Sequence, residues 1–417
     1  MNKMSITLSL CIGLLSGCSG NGSKSSETTD QIIRVEEALK QPEKILLSDI
    51  GKEVVYVPLE TTDSSLVNIS STGTMKVMDD VILIGTQNHP IKVFNKKTGR
   101  YLREIGKIGN GPGEYTNGTL FHINAKTKNI YVEVNPTQRH IYDTNGNLIK
   151  TITYENPIGV LTTPLFWGDI LYNFVTIPSP ATTCFAKVYD LRTDAKLDSL
   201  LLPAENIPAS EIEMVMPFSG MEIFGGRSFM MKIKDQTWCF GSRATSPFWY
   251  YKDELRLKDV YNDTIFTIKN SISEMQPKYI FDMGKWGGFK RYETEDYMSD
   301  KLIITRILET DHAIYFNMIQ NMYNLNNWLK QIWPPMYCGI YNKEDGTVKV
   351  SKKLEIKNDK DAFPDFSIYN VSTDGEVIAY YQAENLVEAR KDIPEPDQPD
   401  WLKNLKEDDN PVIMIIK

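Results

Sequence analysis

Ile91-Lys92-Val93-Phe94-Asn95-Lys96-Lys97-Thr98-Gly99-Arg100-Tyr101-Leu102 reads as strand, turn, strand. Apolar, β-branched and aromatic residues flank a Lys/Thr/Gly turn, which is the pattern of a short hairpin. His140-Ile141-Tyr142-Asp143-Thr144-Asn145-Gly146-Asn147-Leu148-Ile149 repeats it, and Asn-Gly between strands is a strong hairpin signal. Lys187-Val188-Tyr189-Asp190 begins a third copy without the glycine, and Gly339-Ile340-Tyr341-Asn342-Lys343-Glu344-Asp345-Gly346-Thr347-Val348 is a later one. The aromatic anchors fall at 94, 142, 189 and 341, with gaps of 48, 47 and 152. The last gap is close to three periods of the same size.

A period of about 40–50 residues built from short strands is the signature of a β-propeller blade. One blade cannot bury its faces alone, so the ring must close to be stable. The 367 residues from Gly51 to Lys417 accommodate six long blades or seven short ones, and arithmetic does not choose between them. The rival all-β arrangement is a pair of β-sandwiches, which needs no fixed spacing. Elsewhere Val54–Val57, Val81–Ile84, Ile130–Val132 and Ile314–Phe316 are further strand-like runs. Helical periodicity is confined to Ile32–Lys40, Tyr292–Ser299 and a patch near Asn326–Ile332.

The N-terminus carries an address. Lys3 is followed by an apolar or small run, Met4 to Leu15, of signal-peptide length and too short to span a bilayer. Leu15-Ser16-Gly17-Cys18 then matches the pattern read by a lipoprotein signal peptidase, with Cys18 as the lipidated residue. The alternative is an ordinary secretory signal with an incidental cysteine. Residues 1–17 are thus expected to be a signal peptide. Residues 18–44 are expected to be the lipidated Cys and a flexible tether, rich in Gly, Ser and Thr up to Asp30. Residues 45–417 are expected to be the propeller. Ser19 after the Cys suits an outer-membrane destination, on the periplasmic or cell-surface face.

Composition excludes several classes. The 417 residues carry 46 Lys plus Arg against 54 Asp plus Glu, a net charge of −8, with 41% hydrophobic residues. That profile is globular. The acidic balance, with no Lys/Arg-dense stripe, argues against a nucleic-acid partner. Cys184, Cys239 and Cys338 are too widely spaced for a disulfide framework and lie among apolar neighbours, so buried free thiols are expected, with one pair left open.

Several segments resemble the six-bladed β-propeller lipoproteins of Gram-negative gut anaerobes. These are Tyr56-Val57-Pro58-Leu59-Glu60-Thr61-Thr62, the glycine loop Ile105-Gly106-Lys107-Ile108-Gly109-Asn110-Gly111-Pro112-Gly113-Glu114-Tyr115, Val260–Phe266 and Asp408–Ile415. The likeness runs in order from about residue 45 to the end, and Gly-Pro-Gly-Glu-Tyr also resembles NHL-type repeats. The resemblance implies six blades and a lipid anchor, and no catalytic residue.

Candidate chemistry is sparse. The glycine loop lacks the Gly-Lys-Ser/Thr and the following helix that a phosphate loop needs. A tight turn between blades fits better, with Glu114 accepting from loop amides or, alternatively, touching a ligand. Asp143–Asn147 has calcium-like oxygen spacing but no completing glutamate, and reads as a turn. His89, His122 and His140 lie in successive blade-sized segments, so a metal site would need convergence across blades. Surface or strand histidines are the simpler reading, and no metal or cofactor is expected. Trp286, Trp328 and Trp333 sit in segments that break the strand pattern, where flat rings can stack on sugars. Trp238 and Trp249 read as wedge-filling core. These features together point to a non-enzymatic module binding a glycan, peptide or protein. The alternative is a propeller hydrolase or lyase acting on a glycan- or peptide-derived substrate. An enzyme should converge ionisable groups of perturbed pKa on the axial mouth, and a binding module aromatic and neutral polar ones.

Overall fold

Val81-Ile82-Leu83-Ile84 is apolar at every position rather than at alternate ones, and Ile82, Leu83 and Ile84 are all fully buried. A strand covered on both faces needs such a run. It is the second strand of a four-stranded antiparallel sheet, Thr74–Met78, Val81–Gly85, Ile91–Asn95 and Tyr101–Ile105, which we call blade 1. The computed structural model describes residues 31–417 except 70–72, 136, 154–163, 176–184, 194, 202–208, 224–225, 235–237, 244–247, 270–273, 289, 291–292 and 323.

Five further sheets repeat this meander. Blade 2 spans Phe121–Asn124 to Leu148–Thr153, and blade 3 Leu165–Trp167 to Lys196–Leu201. Blade 4 spans Phe248–Tyr251 to Met275–Phe281, and blade 5 Leu302–Glu309 to Val348–Ser351. Blade 6 combines Asn370–Val371, Val377–Tyr381 and Val412–Ile416 with the early strand Val54–Pro58. That last pairing joins the two ends of the chain and closes the ring.

Six apolar clusters fill six seams. Leu83 and Val93 meet Phe121 and Val132 between blades 1 and 2. Tyr131 and Ile141 meet Phe166 and Leu171 between blades 2 and 3. Val188 meets Leu255 and Leu257 between blades 3 and 4. Phe281 and Ile265 meet Phe316 and Ile304 between blades 4 and 5. Tyr315 and Ile340 meet Ala379 and Met414 between blades 5 and 6. Ile413 and Ile415 meet Val77 and Ile82, which returns to blade 1. The chain is therefore a six-bladed β-propeller: the repeat implied the propeller, and the resemblance the number six.

Two expectations need correction. The anchors Phe94, Tyr142, Tyr189 and Tyr341 all sit on the third strand of a blade. The gap of 152, however, spans two blade steps rather than three. The surplus is a seventh sheet, Ile212–Ile223, Gly226–Ile233, Trp238–Arg243 and Glu293–Thr294, inserted between blades 3 and 4. Because blades 3 and 4 pack directly on each other, this sheet lies outside the ring. It is held through Met230, Val260, Met298 and Ile319. The other concerns residues 31–44, expected as part of the tether. Gln31–Ile33 pairs in parallel with Tyr279–Phe281 on the outer edge of blade 4. The helix Val35–Lys40 follows, with Val35 in the apolar cluster of blades 4 and 5, and Leu47 is buried beside blade 6. Residues 31–44 therefore belong to the folded body, because Ile33, Val35 and Leu47 have apolar seams to fill. The helical segments at 32–40, 292–299 and 326–332 resolve to Val35–Lys40, Glu295–Met298 and Leu325–Leu329.

Candidate functional site

The innermost strand of each blade runs along the axis, so alternate residues of six strands face a common channel. A cavity of about 660 Å³ opens where the turns after these first strands gather, and all six blades line it. Another cavity of about 1060 Å³ opens toward the opposite face, between blades 5 and 6. Both touch Lys76, Phe248, Ile307, Leu308 and Asn370, which form the waist between them.

Aromatic rings form one wall of the first cavity. Trp167 stacks on Tyr250 across the blade 3–4 seam, with ring centroids 3.9 Å apart and planes 10° apart. Phe166 stacks on Tyr131 at 3.9 Å and lies 5.9 Å from the His122 ring. The first strands of blades 3 and 4, Leu165–Trp167 and Phe248–Tyr251, are three and four residues long and end in turns, which brings these large side chains to the mouth.

The charged groups divide into two sets. At the rim, every carboxylate described here but Asp253 has a cation. Asp311 bonds Lys252 at 3.2 Å, and Asp374 bonds Lys96 at 3.2 Å. Glu309 is fully buried and takes Lys343 at 2.8 Å, the Trp249 indole N–H at 2.8 Å and Arg256 at 3.4 Å. Inside, basic groups stand without carboxylates. Lys76 lies at the waist, His122 in the first cavity and Arg306 in the second. Among the described residues, no carboxylate lies within ion-pair distance of any of the three, and Arg306 donates only to the Ile368 carbonyl, at 2.9 Å. Burial, then the Arg306 charge, lowers the Lys76 pKa. Burial, then the charges of Arg139 and Lys76, pushes His122 well below its ordinary value of 6.5. Burial lowers Arg306 as well.

His122 gives the protein an acid-sensitive term. Its folded-state pKa is depressed, so below pH 6.5 the unfolded chain binds a proton that the folded protein refuses. Stability is therefore lost as pH falls from 6.5 toward the folded value. His140, lowered by burial, has the same sign. For His122 the slope approaches about 1.4 kcal/mol per pH unit across that window. Urea denaturation between pH 7.5 and 5 is expected to show a shallower decline in His122→Gln than in the parent chain.

The residues singled out from sequence lie elsewhere. Glu114 sits in the connection from blade 1 to blade 2, and its carboxylate accepts from the Gly111 N–H at 2.8 Å. Gly109 has room for no Cβ because that carboxylate occupies the space. Beneath it the Tyr115 hydroxyl accepts from Ile91 N–H at 2.9 Å and donates to the Ile105 carbonyl. Glu114 thus acts here as the loop's own acceptor. Glu114→Ala is expected to lower stability by about 1–2 kcal/mol in urea melts by stranding the Gly111 amide. Trp286 packs against the blade 4–5 cluster with the Lys285 ammonium 4.8 Å from its ring centroid. Trp333, Leu329 and Ile332 are exposed on the loop between the second and third strands of blade 5. Glu114, Trp286 and Trp333 line neither axial cavity, and the Trp328 side chain lies outside the described residues.

The remaining sequence expectations fall as follows. Trp249 does fill a seam, and its indole N–H also serves Glu309. The Trp238 side chain lies outside the described residues. His89 sits in the turn before blade 1's third strand, while His140 is bonded to Thr151 Oγ1 and the Glu114 carbonyl. Among the described residues, no group of three or more His, Cys, Asp or Glu is placed to hold a metal ion. Cys338 is free and buried, its thiol pushed up to about 12 by burial. Cys184, the Cys239 side chain, Cys18 and residues 1–17 are outside the described residues. Sequence reading missed Lys76, Trp167, Tyr250 and Arg306. A usable signal was present, since each lies on the first strand of its blade, the strand that must face the axis.

A family model matches residues 30–417, and its description is a domain of unknown function, DUF4934. The chain belongs to the DUF4934 family. The match includes the strap at Gln31–Ile33 and the extra sheet. Among solved structures, this DUF4934 chain is similar to a candidate exported protein of Bacteroides fragilis. The two are 17% identical, with a TM-score of 0.57 over 88% of this chain and 94% of that one. The WD40 repeats of RRP9 align at 11% identity and a TM-score of 0.38, over 90% and 99% of the two chains. A computationally designed protein, Ika8, aligns at 10% and 0.35, over 90% and 100%. At those values neither bears on this fold or its ligand. No curated protein matches the sequence. No helix among the described residues is long and apolar enough to cross a membrane.

Proposed function

We propose that this DUF4934 protein is an extracytoplasmic binding module, lipid-anchored at Cys18, that holds a ligand in the axial cavity of its propeller. The observation that carries the reading is the cavity lined by all six blades, with the Trp167–Tyr250 stack as one wall. Concave, largely apolar pockets with a few polar groups are the usual form of a ligand site. The likeness to a candidate exported protein and the Leu15-Ser16-Gly17-Cys18 motif support export and anchoring at the outer membrane. An acylated Cys with more than one chain holds a protein firmly at a bilayer.

Glycan-array and metabolite thermal-shift screening should yield ligands whose binding protects Trp167 and 248–253 from hydrogen exchange. Protection confined to the loop at 321–335 would overturn the axial site. Radiolabelled palmitate should enter the chain and be lost in Cys18→Ala, and persistence of label in that variant would remove the anchor.

The lowered pKa of Lys76 and His122 favours a second reading, a lyase acting on an acidic glycan. There a neutral Lys76 or His122 would take the proton beside the carboxylate while the bond to the leaving sugar oxygen breaks and a carbon–carbon double bond forms. Appearance of the unsaturated product by ultraviolet absorbance would decide for it.

A further inference from the structure

Resting on the axial-site reading, we infer that the ligand is a small organic anion, a carboxylate or phosphate carried on a ring. Its acidic group would sit at the waist beside Lys76, with Arg306 on the second-cavity side and His122 on the first, and its ring toward the Trp167–Tyr250 wall.

The argument is one of charge accounting. Burying a cation without a partner is costly, and folded proteins pair or neutralise such groups. This protein does so at the rim, where Glu309, Asp311 and Asp374 each have cations at 2.8–3.2 Å. At the waist it does not. The charges that act on Lys76 and His122 are positive ones, Arg306 on the first and Arg139 and Lys76 on the second. The acids lining the two cavities are Asp253, Glu309, Asp311 and Asp374 in the first and Glu355 and Asp365 in the second. None of them forms an ion pair with Lys76, Arg306 or His122 among the described residues. The waist is thus a positive stretch inside an acidic protein, and an arriving anion would supply the missing counter-charge. A lysine and an arginine facing one space suit the several oxygens of a carboxylate or phosphate. The aromatic wall suits a ring with an apolar face.

The test is isothermal titration of the full chain in detergent with four probes: galacturonate, glucose 6-phosphate, inorganic phosphate and glucose. Galacturonate or glucose 6-phosphate should bind at least ten-fold tighter than glucose, and more weakly as salt rises. Galacturonate binding selects the carboxylate; binding of glucose 6-phosphate and inorganic phosphate selects the phosphate. Lys76→Gln and Arg306→Gln should each weaken the preferred probe ten-fold or more. Unliganded Lys76→Gln should melt no lower than the parent, since it loses an uncompensated buried charge. That melt separates lost binding from lost folding. Equal affinity for glucose and the acids, unchanged in both variants, would overturn the anion assignment and leave the axial site standing. No binding by any probe would overturn the anion too, while hydrogen-exchange protection at Trp167 by another ligand decides the axial site separately.

Discussion

Glu309→Ala is expected to lower the unfolding free energy by about 3–5 kcal/mol. The Glu309 side chain is fully buried at the end of blade 5's first strand, and three donors from two blades converge on it. Lys343 reaches Oε1 from the turn after the third strand of blade 5. The Trp249 indole and Arg256 reach Oε2 from blade 4. Arg256 is itself almost wholly buried, and Lys343 nearly so. Deleting the carboxylate leaves two buried cations without their common counter-charge, which costs more than the pair contributed when intact. Glu254, at 2.6 Å from Arg256, is half exposed and compensates only in part. Trp249→Phe is the informative control. It removes one neutral donor while both cations keep Glu309, so its cost should be nearer 1 kcal/mol from the lost bond. Urea denaturation read by circular dichroism separates the two. Equal, small losses would mean that the carboxylate is not the hub of this seam.

Removing residues 412–417 is expected to abolish stable folding. Val412, Ile413, Met414, Ile415 and Ile416 are each at most 2% exposed. Their side chains alternate between two seams, with Val412, Met414 and Ile416 toward blade 5 and Ile413 and Ile415 toward blade 1. Full burial of such a side chain contributes about 1.5–3 kcal/mol, so five contribute roughly 7–15 kcal/mol. That is the whole net stability of a typical domain, about 5–15 kcal/mol. The strand is also the sole link between Val377–Tyr381 and Val54–Pro58, so its loss leaves two unpaired edges and an open ring. Pulse proteolysis should find the truncated chain degraded without a protected core. A protected, cooperative core in that chain would show that five blades and a remnant suffice.

The sequence by itself determined the blade, and narrowed its count to six or seven. Phe94, Tyr142, Tyr189 and Tyr341 mark third strands because a covered strand followed by a tight turn needs a fixed local pattern. Glu114 and Tyr115 were legible as turn structure for the same reason, since the glycines around them need local acceptors. The insertion was not legible. A sheet outside the ring has the same strand-and-turn grammar as one inside it, so 152 residues read as three blades instead of two and an extra sheet. The docking of Gln31–Ile33 was hidden too, because a strand of three residues carries no period and its pairing partner lies near residue 280.

Only the tertiary structure decided where ligand chemistry gathers. Lys76, His122, Trp167, Tyr250 and Arg306 are spread over 231 positions of sequence and five blades. Closure of the ring brings their strands to one axis, and no local pattern encodes which partners a side chain will meet across it. The same closure withholds carboxylates from the waist cations and grants them to those at the rim, so the charge of the channel belongs to the ring and to no single blade.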